Sequence, residues 1–367
     1  MTQFATTTHF IPFVKRYQFR VALYIAMFWV FLDLLYVLMD IEKAGFTAGY
    51  FTKSNLFVRA TLLREVIVFL CSFCIAFLLL AKARGRHRMK SLWFIALVKT
   101  LALMGCALIM NFIVHISYFL IFAGQNIQQA LLMFVTDALD TKWLLHKIPY
   151  LLITFLLTQL IIEINEKYAP GVFKDILLGK YIHPKTESRI VMFIDLKDST
   201  PIAEKLGHES YFRFIREFIS NVSLAVTEYG GRIYQYVGDE IVVSWIATPF
   251  NARKCMASLL EARKNIQKKS EMYRREYNAV PEFRVGIHTG DVTVGEIGVI
   301  KKDLAMSGDT MNTTARIRSA CSELNEKFII SQQFKELIGL EDWQAVSLGT
   351  VELKGKEHGV ELFSLKV

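Results

Sequence analysis

The sequence predicts a chain of two halves: an N-terminal all-α domain of four membrane-spanning helices and a C-terminal water-soluble α+β domain, with helices outside a mostly antiparallel sheet. Three observations predict it. All the long apolar runs of the 367-residue chain fall before residue 166. From Arg189 onward, short apolar runs of strand length alternate with longer stretches of helical period. The composition, 53% hydrophobic and only 21% charged, is the balance expected when lipid solvates one half and water the other. The expected boundaries are 1–165 for the membrane domain, 166–188 for a connector and 189–367 for the soluble domain.

Four stretches are long and apolar enough to span: Val21–Ile41, Leu62–Ala81, Leu92–Phe122 and Ile148–Ile164. The third is longer than a span needs. An even number returns the chain to its starting side. Lys15, Arg16 and Arg20 precede the first span, and Lys82, Arg84, Arg86, Arg88 and Lys90 crowd the connection between the second and third. Basic loops stay in the cytoplasm, so the N-terminus and everything after Glu166 are expected there, in a multi-pass protein of the inner (plasma) membrane. Met1 to Pro12 carries no short apolar segment followed by a small-residue cleavage site, so no removable signal peptide is expected. The net charge of +9 lies largely beside these hydrophobic segments, where it sets orientation; nucleic acid is not an expected partner.

Polar residues at membrane depth are costly, and Asp33, Lys99, Asn111 and His115 are the candidates. Asn111 and His115 share a helix face at i, i+4. Either they line a ligand pocket, or they form interhelical hydrogen bonds while Lys99 reaches for the inner interface; the second is preferred, since one histidine without a second ligand is a weak site. The five cysteines have no framework spacing, and Cys71 and Cys74 sit within an apolar helical run, so a reduced compartment and packing roles are expected. In the connector, Pro170-Gly171 and Gly179 bracket one brief amphipathic helix, Val172–Leu178.

In the soluble half, Arg189–Leu196 reads as a buried strand and Ser199–Tyr229 as a long helix. Arg232–Tyr236 and the run to Trp245 read as a hairpin through Val237-Gly238-Asp239-Glu240. A second helix, Phe250–Asn278, precedes the strand Phe283–His288; a helix follows Gly308-Asp309, and shorter strands close the chain. Asp195 ends a strand and Asp239 sits in a turn, so both can project from one sheet edge, where paired carboxylates hold hard divalent cations against phosphates.

Four segments then occur in order: Phe193-Ile194-Asp195-Leu196, Tyr236-Val237-Gly238-Asp239-Glu240, Arg284-Val285-Gly286-Ile287-His288-Thr289-Gly290, and Gly308-Asp309-Thr310-Met311-Asn312-Thr313-Thr314-Ala315-Arg316. Together they resemble the class III nucleotidyl cyclase domain, the resemblance running from about Arg189 to Val367. It implies a ferredoxin-like (palm-type) fold and conversion of ATP, or GTP, to the cyclic nucleotide and pyrophosphate. It implies two divalent cations per site, Mg²⁺ or Mn²⁺, on Asp195, Asp239 and the carbonyl of Leu196. It makes Asn312 and Arg316 the transition-state pair, orienting the ribose and offsetting charge on the α-phosphate. Ser199 and Thr200 lie in the phosphate loop, and Lys354 or Lys356, in Leu353-Lys354-Gly355-Lys356, supplies a phosphate-binding lysine. The metal aspartates and the Asn–Arg pair of one site come from different chains in this family, so the resemblance also implies a head-to-tail homodimer.

The departures concern the base and the phosphate loop. Gln235 stands where adenylate cyclases usually carry Lys and guanylate cyclases Glu, and Ala305 where Asp, Thr or Cys is common, so neither purine is specified. ATP is preferred because adenylate cyclases dominate the bacterial relatives. Lys197-Asp198-Ser199-Thr200 replaces a frequent x-Gly-Phe-Thr, and Asp198 can supply the left-handed conformation. The alternative reading is a catalytically silent, nucleotide-binding signalling module. The retention of Asp195, Asp239, Asn312 and Arg316 argues against it. A diguanylate cyclase lacks its Gly-Gly-Asp/Glu-Glu-Phe stretch here, and a transporter lacks an evident repeat.

Overall fold

The computed structural model describes residues 13–43, 55–82, 92–138, 141–167, 172–300, 303–341, 344–352 and 359–366. They fall into two compact units, one of Lys15–Tyr168 and one built on Ala169–Val367.

The first unit is helical: α1 (Phe13–Lys43), α2 (Asn55–Lys82), α3 (Leu92–Ile121), α4 (Ile127–Ala138) and α5 (Thr141–Lys167). Among the described residues, three helices are long and apolar enough to cross a bilayer, over Arg16–Leu38, Val58–Leu80 and Leu97–Ile121. The fourth expected span lies in α5, but its apolar stretch, Pro149–Ile164, is shorter, and Pro149 stands inside the helix. Helix α4 was not expected: the chain turns at Gly124, φ 61°, and Asn126 caps the new helix by accepting from the Gln129 amide at 2.9 Å.

Polar side chains in this unit meet each other across helices. Trp29 Nε1 donates to Thr158 Oγ1 at 2.8 Å, and Thr100 Oγ1 to Gln159 Oε1 at 3.0 Å. Arg64, not singled out by sequence, holds Asp33 through two bonds of 2.6 and 2.9 Å. Lys99 is buried and faces Glu163 at 3.8 Å. The His115 ring packs on Phe119 and Phe134, with centroids 4.7 and 5.3 Å away.

The second unit opens with α6 (Val172–Leu177), which is tied to the domain by Asp175 accepting from Arg232 at 2.9 Å. Its strands are β1 (Lys185–Leu196), β2 (Arg232–Val237), β3 (Glu240–Ile246), β4 (Phe283–Ile297), β5 (Asp303–Ser307), β6 (Phe328–Ser331), β7 (Ala345–Val351) and β8 (Val360–Leu365). The helices are α7 (Ser199–Leu206), α8 (His208–Glu228), α9 (Pro249–Lys268), α10 (Ser270–Tyr277), α11 (Asp309–Glu323) and α12 (Gln332–Ile338). The sheet order is β2-β3-β1-β4-β6-β8-β7, with β5 pairing β4. Among the described strands only β4 and β6 pair in parallel.

Strand β1 is central because it is apolar on both faces. Ile190, Met192, Ile194 and Leu196 enter the main core beside Phe214, Phe218 and Leu259, while Val191 and Phe193 enter a second cluster with Tyr181, Val242, Val292 and Met311. That period of two with both faces buried gives the continuous apolar run of the sequence. Two expected helices are each broken in two. Gly207, at φ 70° and ψ 167°, separates α7 from α8, and Lys269, at φ −101° and ψ 8°, separates α9 from α10. Strand β4 extends to Ile297, beyond the expected His288, because β1 and β5 both pair with its second half.

Helix α11 packs on β4 where glycine leaves room. A Cβ at Gly286 would lie 2.5 Å from the Arg318 amide nitrogen and 2.9 Å from the Thr314 carbonyl oxygen; one at Gly290 would lie 2.6 Å from Thr310 Oγ1. We predict that Gly286→Ala pushes α11 off the sheet and destabilises the second unit by about 1–3 kcal/mol, as measured by denaturant unfolding beside the parent chain.

Candidate active site

Two neighbouring strands deliver carboxylates to one end of the sheet. Ile194 of β1 pairs with Ile241 of β3, so Asp195, one residue further along β1, comes beside Glu240 at the start of β3. Val237 pairs with Glu240, which leaves Gly238 and Asp239 as a two-residue hairpin turn, with Gly238 at φ 62°. Beyond β1, Leu196 is buried and Asp198 takes the left-handed conformation, φ 55° and ψ 38°, ahead of Ser199 and Thr200 in the first turn of α7. The amides of that turn have no partners within the helix and face outward as donors.

The side chain that meets the carboxylates is Arg318 of α11. Its Nη1 lies 3.3 Å from Asp195 Oδ2 and its Nη2 2.6 Å from Glu240 Oε2. Burial pushes the Asp195 carboxyl above its ordinary range; Arg318 opposes this, and the nearby Asp239 adds to it. Burial likewise raises Glu240, again against Arg318. Asp239 Oδ2 is buried with no hydrogen-bond partner among the described residues. Arg284, paired with Asp195 across β1 and β4, acts on it as well. Three carboxylates with two arginines, one carboxylate carrying an orphaned buried oxygen, make a site short of positive charge.

The other predicted residues lie elsewhere on the unit. At 100° per residue, Arg316 is about 40° around α11 from Asn312, whereas Arg318 is about 160° from Arg316. Asn312 is accordingly exposed and Arg316 half-buried, on a face turned from the carboxylates that Arg318 holds. Gln235 is exposed on β2 and Ala305 half-buried on β5. Their neighbours join them, since Tyr234 Oη accepts from the Met306 amide at 3.0 Å. Lys354 and Lys356 lie outside the described residues. Sequence reasoning gave no role to Glu240 or Arg318. The only available signal was the spacing Arg316-Ile317-Arg318, which puts two arginines on opposite sides of one helix.

Residues 182–366 match the adenylate and guanylate cyclase catalytic domain. The chain belongs to the class III cyclase family. It is 30% identical over 210 residues to adenylate cyclase 2 of Rhizobium meliloti (strain 1021), covering 56% of this chain and 57% of that one. A receptor-type guanylate cyclase of Caenorhabditis elegans, gcy-10, is 22% identical over 196 residues, or 53% of this chain and 18% of that one. The chain thus spans little more than half the length of the first of these relatives and less of the second. The fold is also that of a solved bacterial light-regulated adenylyl cyclase, with TM-score 0.52 at 18% identity over 62% of this chain and 67% of that one.

The cyclase unit carries its carboxylates at a cost that Arg318 offsets, and this sets a pH dependence. Asp195 and Glu240 are raised in the folded state, which therefore binds protons more tightly than the unfolded chain; stability falls as pH rises from the ordinary carboxylate range through the raised values. Arg318→Met removes the opposing charge and raises both further. In chelator, its destabilisation relative to the parent chain should be larger at about pH 8 than at about pH 5, reaching about 1–3 kcal/mol at the higher pH, by thermal unfolding.

Proposed function

We propose that this chain is a membrane-anchored nucleotide cyclase that converts ATP, and more weakly GTP, to the 3′,5′-cyclic nucleotide and pyrophosphate at the interface of a head-to-tail homodimer. One observation carries the reading: within a cyclase-family unit, Asp195 and the buried, unpartnered Asp239 Oδ2 share one end of the sheet, while Asn312 and Arg316 face away from them.

The donor set suits a hard cation. Among the described residues no three His, Cys, Asp or Glu side chains gather into a ready-made cage. Mg²⁺ and Mn²⁺ do not need one, since such ions are held by one or two carboxylates together with water and substrate phosphates. Asp195, Asp239 and the Leu196 carbonyl would hold two of them. Bound there, the ions supply acidification of the ribose 3′ hydroxyl and neutralisation of the triphosphate. The remaining roles fall to the protein. Ser199, Thr200 and the first-turn amides of α7 receive the phosphates, helped by Lys354 or Lys356. From the second chain, Asn312 orients the ribose and Arg316 faces the α-phosphate, where negative charge grows as the 3′ oxygen bonds to phosphorus and the bond to the β-bridging oxygen breaks. The hydroxyl proton leaves to water.

Gln235 and Ala305 bound the base pocket. A glutamine amide can both donate and accept, and an alanine offers no side-chain hydrogen bond, so the two purines are discriminated weakly. The preference for ATP is supported by the adenylate cyclases among the relatives. On this reading the chemistry takes place at the cytoplasmic face of the inner (plasma) membrane, in a lipid bilayer, with the basic clusters inside and α5 as the fourth crossing. At 1.5 Å per residue its 16 apolar residues, Pro149–Ile164, extend about 24 Å. That is short of the hydrocarbon thickness of about 30 Å, so local thinning or flanking polar turns complete the crossing.

The first test is product formation by purified full-length protein with ATP or GTP and Mg²⁺ or Mn²⁺. Cyclic product that vanishes in Asp239→Ala is expected; no product with nucleotide still bound would establish the silent signalling module instead. Mixing tests the shared site. Asp239→Ala and Arg316→Ala should each be inactive alone, while co-expressed chains that pair at random should recover about a quarter of the parent activity, because half the dimers keep one intact site of two. No recovery would place both halves of the site on one chain.

A further inference from the structure

The helical unit carries a cavity of about 450 Å³ between α1, α2, α3 and α5, open on the side of Met104, Leu108, Leu152 and Leu156 and within the range of about 300–1,000 Å³ typical of small-molecule sites. It follows α3 from Thr100 to Val114, about 21 Å at 1.5 Å per residue. Most of its wall is aliphatic or aromatic, but Asp33, Arg64, Asn111 and Tyr150 also line it. They come from the second half of α1, the first half of α2, the second half of α3 and the first half of α5. In an up-and-down bundle these stretches lie at one end, the one away from the basic clusters. The cavity is thus a slot with an apolar body and a polar end.

Charge and hydrogen bonding at that end narrow the ligand chemistry. Asp33 is 4% exposed and paired with Arg64 through the two bonds of 2.6 and 2.9 Å, so the end is already neutral. An anionic head would lack a counter-ion at membrane depth. The neighbouring Glu65, whose carboxylate oxygens are buried without a hydrogen-bond partner among the described residues, repels an anion further. It does not line the cavity and so offers a cationic head no direct partner there. The Asp33–Arg64 pair is balanced in charge, yet its two bonds use only two of a guanidinium's five donors and about half of a carboxylate's acceptor positions. A group that donates and accepts without charge complements it.

We propose that this cavity binds a neutral single-chain amphiphile of about ten to fifteen carbons, an alcohol, hydroxyketone or amide, with its head at the Asp33–Arg64 pair and its chain along α3. The site is independent of the cyclase chemistry.

The test uses full-length protein in phosphatidylcholine nanodiscs, irradiated with decanol, decanoate or decane, each bearing a diazirine at the chain end, with labelled residues read by mass spectrometry. The decanol probe should label the buried cavity residues Ala107 and Met110, and excess unlabelled decanol should reduce that labelling by about tenfold or more. The decanoate and decane probes should give no competed labelling there. Asp33→Asn combined with Glu65→Gln leaves Arg64 without either neighbouring carboxylate and should transfer competed labelling from decanol to decanoate, a gain that a misfolded variant could not produce. Equal competed labelling by decane would show that the slot takes bilayer chains only. Labelling confined to the outward-facing Leu101 and Ile109 would show no site. Either result overturns the proposal, as does a doubly substituted chain that acquires no decanoate labelling.

Discussion

Like charges held together while water is withdrawn from them need a cation, and the catalytic unit is built round that need. Strand β1 is apolar on both faces and cannot leave the middle of the sheet, so Asp195 at its end is fixed in space. Strand β3 is its hydrogen-bonded neighbour, and the hairpin that begins β3 brings Asp239 and Glu240 to the same end. Burial then raises both Asp195 and Glu240. The sheet could relieve this by protonating them, but Arg318 instead supplies part of the charge. Asp239 Oδ2 is the atom left over, and it defines where further positive charge belongs. The proposed divalent cation would answer that deficit.

Helix α11 divides its labour by face. Its inner face approaches β4 so closely at Gly286 and Gly290 that no side chain fits between, and this close packing is what brings the Arg318 guanidinium over the carboxylates. The same packing turns Asn312 and Arg316 outward. A rigid helix cannot present residues about 160° apart to one small site, so if both arginines serve one reaction centre, the outward pair must meet a carboxylate set from another copy of the chain. The proposed dimer would then follow from helix geometry. Tyr234 and Met306 join the strands carrying Gln235 and Ala305, so the residues proposed to bound the base are tied to each other.

Much of the soluble fold was legible because it rests on short-range rules. The two-sided apolar run of β1, the Gly238-Asp239 turn and the start of α11 after Gly308 each announce themselves within a few residues. The breaks at Gly207 and Lys269 did not, since the apolar period resumes on the same face after each of them. The extension of β4 to Ile297 was hidden for a different reason: its second half is stabilised by pairing with β1 and β5, not by its own composition. Arg318 illustrates the limit for the site. Its partner Asp195 is 123 residues away, and only the packing of α11 on β4 makes them neighbours. The membrane half was legible in its long helices and not in α4 or in the shorter apolar part of α5, where hydropathy alone cannot separate a crossing from a packed helix.

The two halves treat most of their buried polar groups differently, although Glu65 of the helical unit also keeps buried oxygens without a hydrogen-bond partner among the described residues. In the helical unit Asp33 meets Arg64, Lys99 meets Glu163, and Trp29 meets Thr158, each across two helices. Lipid offers no ions or water to complete a charge, so pairing inside the protein is the stable solution. The soluble unit keeps a carboxylate excess at its sheet end, because water and its dissolved cations can supply what Arg318 does not. A paired polar end suits the neutral hydrogen-bonding head proposed for it, and an unbalanced acidic end suits the cations proposed there. One physical rule thus underlies both proposals.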